Sequence, residues 1–441
     1  MGELRDQIAG LNREEIGRRL HNQVVDLYPF FRSITGEGVR QTLRRIAQEI
    51  PLQLHEVPSG TQVLDWTVPR EWSIRDAYIK NEAGDRIVDL DDLNLHVVNY
   101  SMPVNATMSL AELQPHLHSL PDRPDAVPYR TSYYDETWGF CISHDQRLSL
   151  KEGTYKVRID SSLSDGSLTY GECILPGETA DEVLISTHVC HPSLANDNLS
   201  GIVVATGLAQ LMASVKRRYT YRFIFVPATI GAITWLARNE TTAGNVKHGF
   251  VLAGVGDGGS LTYKRSRRAS AEIDQAFEYV LNASGEPHSI IDFEPYGYDE
   301  RQYCSPGFDL PVGSLSRTPY ASYPEYHTSD DNPDFVLPAS LFDSLLKCLE
   351  VLEVVEGNNY YVNLQPRGEP QLGRRGLYKS IGGMSDEHTA QQALLWVLSG
   401  SDGRQSLLDI ARRAGIQFPL IENAARQLQA AGLVSTSLDG S

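Results

Sequence analysis

The sequence predicts an α/β protein in three parts: a core of helices around a mixed, largely parallel sheet, an inserted β-rich module, and a C-terminal winged helix. Three observations lead there. Apolar strand-like runs (EVLIST, YRFIFVPA, HGFVLAGVG) alternate with helical stretches across residues 165–375, and near-continuous apolar strands between helices belong to sheets covered on both faces. Residues 61–164 break that rhythm with short runs such as HVVNY, WGFCIS and TYKVRI and with proline-rich turns such as SLPDRPDAVPY. Residues 376–441 hold SLLDIARRAGIQFPLIENAARQLQAAGLV, two helical patterns broken at Gly415.

Each part has its own justification. In residues 1–60, Ile8, Leu11, Ile16 and Leu20 form one helical stripe and Leu43, Ile46 and Ile50 another. Between them, Thr35 and Gly36 interrupt the pattern in FFRSITGEGVRQTL. The β-rich stretch separates this helical start from the alternating region, so the core is discontinuous, 1–60 with 165–375, and 61–164 is an insertion. From residue 380 to 441 there are four Arg and no Lys against six acidic residues. A DNA-reading helix sits in a basic field, so the expected use of the winged helix is packing or contact with a second copy of the chain, a homo-oligomer.

Bulk properties narrow the function further. The chain has 441 residues and a formal net charge of −17, which argues against nucleic acid and anionic membrane surfaces as partners. No stretch is apolar enough to span a bilayer or to act as a signal peptide. The five cysteines, Cys141, Cys173, Cys190, Cys304 and Cys348, are scattered without a C-x-x-C pair, which fits a reducing compartment rather than a disulfide framework. The expectation is a cytoplasmic protein acting on a small molecule or a short peptide.

The chemistry concentrates in THVCHPSLANDNLSG, residues 187–201. His188 ends the run EVLIST and so falls at the carboxyl edge of a core strand, the edge where open α/β sheets bind ligands. Asp197 follows in a turn-rich loop just before a helix. An imidazole and a carboxylate brought together at a sheet edge suit zinc. A lone histidine at a strand end is more often a hydrogen-bonded core residue; Asp197 and a later histidine, His327 in YPEYHTSDDNPDF, shift the reading to metal. His191 is a further candidate ligand, although His-Pro at that point also serves to fix a loop. Asp257 ends the strand of HGFVLAGVGDGGS and is a candidate by the same edge argument, with an ordinary Asp-Gly-Gly turn as the alternative.

These residues together resemble zinc-dependent aminopeptidases of the di-zinc type. More closely, the phrases THVCHPSLANDNLSG, TIGAI, YCSPGF and YPEYHTSDD resemble bacterial aminopeptidase-like proteins associated with polysaccharide or secondary-metabolite biosynthesis, and the likeness runs along essentially the whole chain. The resemblance implies a zinc hydrolase cleaving an amide in a small peptide or aminoacylated metabolite. It matches His188 to the first metal histidine, Asp197 to the metal-bridging carboxylate, Asp257 to a further acidic ligand and His327 to the last histidine. It implies one Zn2+ rather than two, because Thr229 stands where the classical enzymes carry a ligating Glu.

The departure is Ala228, at the position of the general-base Glu. Three explanations stand side by side: a Glu→Ala change in an otherwise intact site, a natural pseudo-peptidase that binds zinc and serves as a binding or scaffold protein, or a stand-in carboxylate such as Glu300 or Asp330. Candidate substrate-binding residues are Arg301, Tyr303, Arg317 and Tyr326, the arginines because a guanidinium recognises a carboxylate with two parallel hydrogen bonds. The inserted module is expected to cap the site and restrict it to small substrates.

Overall fold

The computed structural model describes residues 2–377 and 385–436. Two compact units divide the chain near residue 350. In the larger, eight strands make one sheet: β1 (Gln53–Pro58), β2 (Ser167–Leu175), β3 (Glu182–His188), β4 (Thr220–Val226), β5 (Val246–Leu252), β6 (Leu261–Lys264), β7 (His288–Ile291) and β8 (Val312–Ser316). Their spatial order is β1-β2-β4-β3-β5-β8-β6-β7. The four central strands, β4-β3-β5-β8, are parallel, whereas β1, β2 and β6 join antiparallel neighbours. The sheet is mixed and largely parallel, as its apolar strand runs predict.

Every residue of β3 is buried, which explains why EVLIST carries no alternation: both faces are covered. The helix Gly201–Ala213 covers one of them, and its residues Ile202–Ala209 are all buried. Because β3, β4, β5 and β8 run the same way, their carboxyl ends share one edge, and the loops that follow converge there.

The inserted module is a four-stranded antiparallel sheet in the order Arg86–Asp89, Glu71–Lys80, Thr154–Ser164, Val104–Ser109. Trp72, Ile79, Val157 and Ile159 from this sheet share one continuous apolar cluster with Leu184, Ile224, Val226 and Val251 of the central sheet. At roughly 1.5–3 kcal/mol for each large apolar side chain taken out of water, this shared core fixes the module on the sheet. All five cysteines are buried free thiols. Among the described residues, no helix is long and apolar enough to cross a membrane.

In the smaller unit, the helices Ser385–Gly400, Leu407–Ala414 and Phe418–Ala430 accompany a three-stranded sheet of Asp402–Ser406, Tyr360–Asn363 and Val434–Thr436. Ser406 and Asp409 close a capping box on the second helix, and Gly415 ends it at φ +64°, a conformation that favours glycine. The expected boundary at residue 376 is corrected: Tyr360–Asn363 pairs with both Asp402–Ser406 and Val434–Thr436, so the unit begins before that strand. The strand was missed because it is short and partly exposed. Of the range 376–441, residues 378–384 and 437–441 lie outside the described residues.

Candidate metal centre

His188 is the last residue of β3 and is 1% exposed; Asp197, nine residues on, is 0% exposed. The Asp197 carboxylate lies between two imidazoles. Its Oδ1 is 2.9 Å from His188 Nε2 and its Oδ2 is 3.0 Å from His327 Nε2. His191 completes the group: its ring stands 4.9 Å from that of His188 and 5.1 Å from that of His327. Donor atoms of His188, His191 and Asp197 lie within 4.8 Å of one another, the one such set of three among the described residues.

The electrostatics suit a cation. Burial alone would raise the Asp197 carboxyl, but His191, His188 and His327 outweigh it and hold the group well below the usual carboxylate range. Burial pushes His191 down to about 3, so its imidazole is neutral at pH 7 with a lone pair to offer. Three imidazoles and one ionised carboxylate are the nitrogen and oxygen donors that zinc takes.

The loop between His188 and the helix is held from all sides. Asp331 accepts hydrogen bonds from the backbone N–H of Asn196 at 2.5 Å and of Asp197 at 2.9 Å, while its own carbonyl accepts from Ala195. Burial pushes the Asp331 carboxyl up to about 8, against the pull of those same backbone N–H groups; the two bonds fit the ionised form. Asn198 donates through Nδ2 to Thr187 and to the Leu252 carbonyl, and through Oδ1 accepts from Gly201 and Gly254 N–H. A Cβ on Gly201 would meet Asn198 Oδ1 at 2.4 Å and the Leu252 carbonyl at 2.5 Å, which is why a glycine stands at 201. On the far side, buried Arg32 donates from Nε to the His191 carbonyl at 2.8 Å.

The inserted module reaches the cluster. Tyr129, buried, sets its ring edge-on to His191 at 5.2 Å and to His327 at 5.1 Å, and its N–H donates to the His327 carbonyl at 2.7 Å. Pro128 and Thr328 form an isolated bridge, and Ser329 exchanges hydrogen bonds with Val127. Tyr326 stacks on His327 with ring centres 3.9 Å apart, and Tyr298 stacks on His188 at 5.6 Å. Arg32, Tyr129 and Asp331 escape a reading of the sequence because their roles depend on neighbours about 60 residues or more away; the doubled acid in HTSDD is the only local sign of Asp331.

Other expected site residues fall elsewhere. Asp257 turns away from the cluster: its carboxylate accepts from Asn196 Nδ2, Thr318 Oγ1 and Gly259 N–H, so it braces the loop. Tyr303 is 0% exposed and bonded to Ser186 under the sheet, which corrects the expectation that it meets substrate. Arg317 is likewise corrected, being committed to Asp343 and the Gly259 carbonyl. Glu300 pairs with Lys264, and Asp330 with Arg123, so neither carboxylate is free to replace a missing base. Arg301 does lie near residue 228, with Nη2 3.4 Å from Thr229 Oγ1. Ala228, partly exposed, offers only its carbonyl, 3.8 Å from Cys190 Sγ.

Comparison with known proteins agrees with this architecture. The profile described as "Domain of unknown function (DUF4910)" matches residues 21–358, and one described as "winged helix-turn-helix" matches 359–436. The chain is 49% identical over 417 residues, 95% of its own length and 96% of the other's, to a Clostridium acetobutylicum protein provisionally named a polysaccharide biosynthesis protein with aminopeptidase-like domain. A crystal structure from the same organism, of a chain provisionally called a peptidase, superimposes with a TM-score of 0.93 at 46% identity, covering 99% of this chain and 100% of that one. A zinc aminopeptidase of Bacillus subtilis gives 0.56 at 12% identity over 77% of this chain and 95% of its own, a likeness of fold. The chain belongs to the DUF4910 family, with an aminopeptidase-like core followed by a winged helix-turn-helix.

Proposed function

We propose that the protein is a zinc-dependent hydrolase of the aminopeptidase type, built to cleave an amide in a small peptide or aminoacylated metabolite within a biosynthetic pathway. The observation that carries the proposal is the Asp197 carboxylate held between His188 and His327, with a neutral His191 beside it. His188, Asp197 and His327 would hold one zinc ion, with His191 at its side. Bound there, zinc supplies Lewis-acid polarisation of an amide carbonyl. Asp331 fixes the backbone that aims Asp197, and partners of this kind raise metal affinity about 10–100-fold. Tyr129, edge-on, and Tyr326, stacked, pack against the histidine rings and shield part of the cluster from water, which strengthens charge interactions inside. The name of the Clostridium relative supports the biosynthetic setting.

Residue 228 is where a proton acceptor belongs, and alanine has none. A positioned general base contributes about 10²–10⁴-fold in rate, so without another base in reach the chain would hold metal and substrate but turn over slowly. The same observation favours a second reading, a non-catalytic zinc-containing pseudo-peptidase that binds or scaffolds. Ala228→Glu separates them. We expect zinc-loaded Ala228→Glu protein to hydrolyse dipeptides and aminoacyl amides about 10²–10⁴-fold faster than the parent chain; no gain, with zinc bound and the fold intact, would leave the scaffold reading.

A further inference from the structure

Among the described residues, Arg301 stays outside the ion pairs that its neighbours form. Lys264 holds Glu300, Arg317 holds Asp343, and Arg123 holds Asp330. Arg301, which follows Glu300 directly, has no carboxylate within ion-pair distance among the described residues. Its side chain makes one long contact, Nη2 to Thr229 Oγ1 at 3.4 Å, and its buried Nε has no partner. Its guanidinium carbon lies 5.7 Å from the centre of the Tyr296 ring. Arg301 is partly exposed and Tyr296 is 65% exposed, so this is surface that a ligand reaches.

The position of that surface gives it meaning. On one side Arg301 touches Thr229, the neighbour of Ala228. On the other, a file of rings runs from Tyr296 to Tyr320 at 5.6 Å, on to Tyr298 at 5.7 Å, and from Tyr298 to His188 at 5.6 Å. The guanidinium and the metal cluster therefore border one tyrosine-lined approach. A partly desolvated guanidinium with unused N–H donors recognises a planar carboxylate through two parallel hydrogen bonds. The carboxyl groups of Asp299 and Glu300 are buried within coulombic reach of it, and any negative charge there disfavours a dianion such as phosphate more than a singly charged carboxylate.

We propose that Arg301 is the specificity determinant of this site and that the substrate is an amide bearing a free carboxylate, such as an unblocked short peptide, rather than a neutral or C-terminally amidated one. The proposal rests on the amide-hydrolase reading of the metal cluster. Arg301 binds and orients the carboxylate while the amide lies toward His188 and residue 228.

Ala228 makes a direct test simple, because binding is measurable without rapid turnover. Calorimetric titration of the zinc-loaded full chain uses a panel of alanyl dipeptides with free C-termini, their C-terminal amides, and analogues with phosphonate in place of the carboxylate. Hydrogen bonds to a charged group contribute about 1.5–3 kcal/mol, so the free acids are expected to bind roughly 10–100-fold more tightly than the amides, with the phosphonates weaker than the acids. Arg301→Met is expected to remove that preference by weakening the acids alone, and Arg301→Lys to restore part of it, both with unchanged melting temperature and zinc content. Equal binding of acids and amides, tighter binding of phosphonates, or a preference that survives Arg301→Met would overturn the assignment of Arg301 while leaving the metal-site reading intact. Failure of every dipeptide to bind, with or without zinc, would overturn both.

Discussion

Two buried histidines stand toward opposite ends of neighbouring parallel strands. His188 closes β3 at its carboxyl end, whereas His248 lies near the start of β5, in register with Val183 of β3. Both are almost fully buried, at 1% and 4% exposure. His188 meets an ionised carboxylate and lies among further imidazoles. His248 has an unpartnered Nδ1 and a Tyr219 ring edge-on at 5.0 Å. Burial, with Arg218 and Lys247 adding to it, pushes His248 down to about 3. The comparison teaches that a histidine on a buried strand becomes a candidate ligand where the loops of the sheet edge deliver a carboxylate to it. The same imidazole at the other edge is a neutral core residue.

The strongest way to break this contrast is to make the His188 end resemble the His248 end. In Asp197→Asn, the charge that gathers the three histidines is gone while the volume is kept. Loss of a supporting partner already costs about 10–100-fold in metal affinity, and loss of the central carboxylate costs more. At micromolar zinc, elemental analysis should find well under half an ion per chain, and full occupancy would break the account.

Asp331→Asn sharpens the contrast with a smaller effect. The amide keeps an oxygen for one backbone N–H, but its Nδ2 cannot accept from the other, so the Asn196–Asp197 turn loses one of its two bonds. Zinc affinity should fall about 10–100-fold in competition with a chelator, with the fold preserved; an unchanged affinity would mean that the loop is fixed without Asp331.

At the His248 end the expected effect is on stability and leaves the metal cluster untouched. Its folded pKa is depressed, so the unfolded chain binds the extra proton between about 6.5 and about 3, and stability present at neutral pH is lost as pH falls through that window. Acidification from pH 7 to 4 should cost about 3 kcal/mol at this group. His248→Leu should therefore lose less stability than the parent over the same pH drop in denaturant titrations. Parallel losses would mean that His248 is not held neutral by burial.

How much of this was legible follows a physical line. The sheet, the edge and the pair His188–Asp197 were readable because each depends on local order: an apolar run, a histidine at its end, an Asn-Asp-Asn turn and a helix. His327 was readable from the density of polar groups around it and from the family phrases. His191 was ambiguous because His-Pro reads equally as a turn, and only its packing against His188 and His327 places it with the cluster. Arg301 and Arg317 carry the same side chain sixteen positions apart; Asp343, on a distant helix, takes one of them, and no pattern near either arginine foretells which. Tyr303 looked like a site residue from its motif, yet its hydroxyl is spent on Ser186. Local pattern thus identifies the groups that end strands, while ion-pair partners brought from afar decide which charged side chains remain for a ligand.

The most direct test of the account is the zinc content and affinity of the unmodified chain beside His188→Ala and His327→Ala, residues 139 positions apart in sequence that meet on one carboxylate. The account predicts close to one zinc ion per parent chain and a large loss of affinity in both variants, with each still folded. Zinc retained at parental affinity in either variant would contradict it.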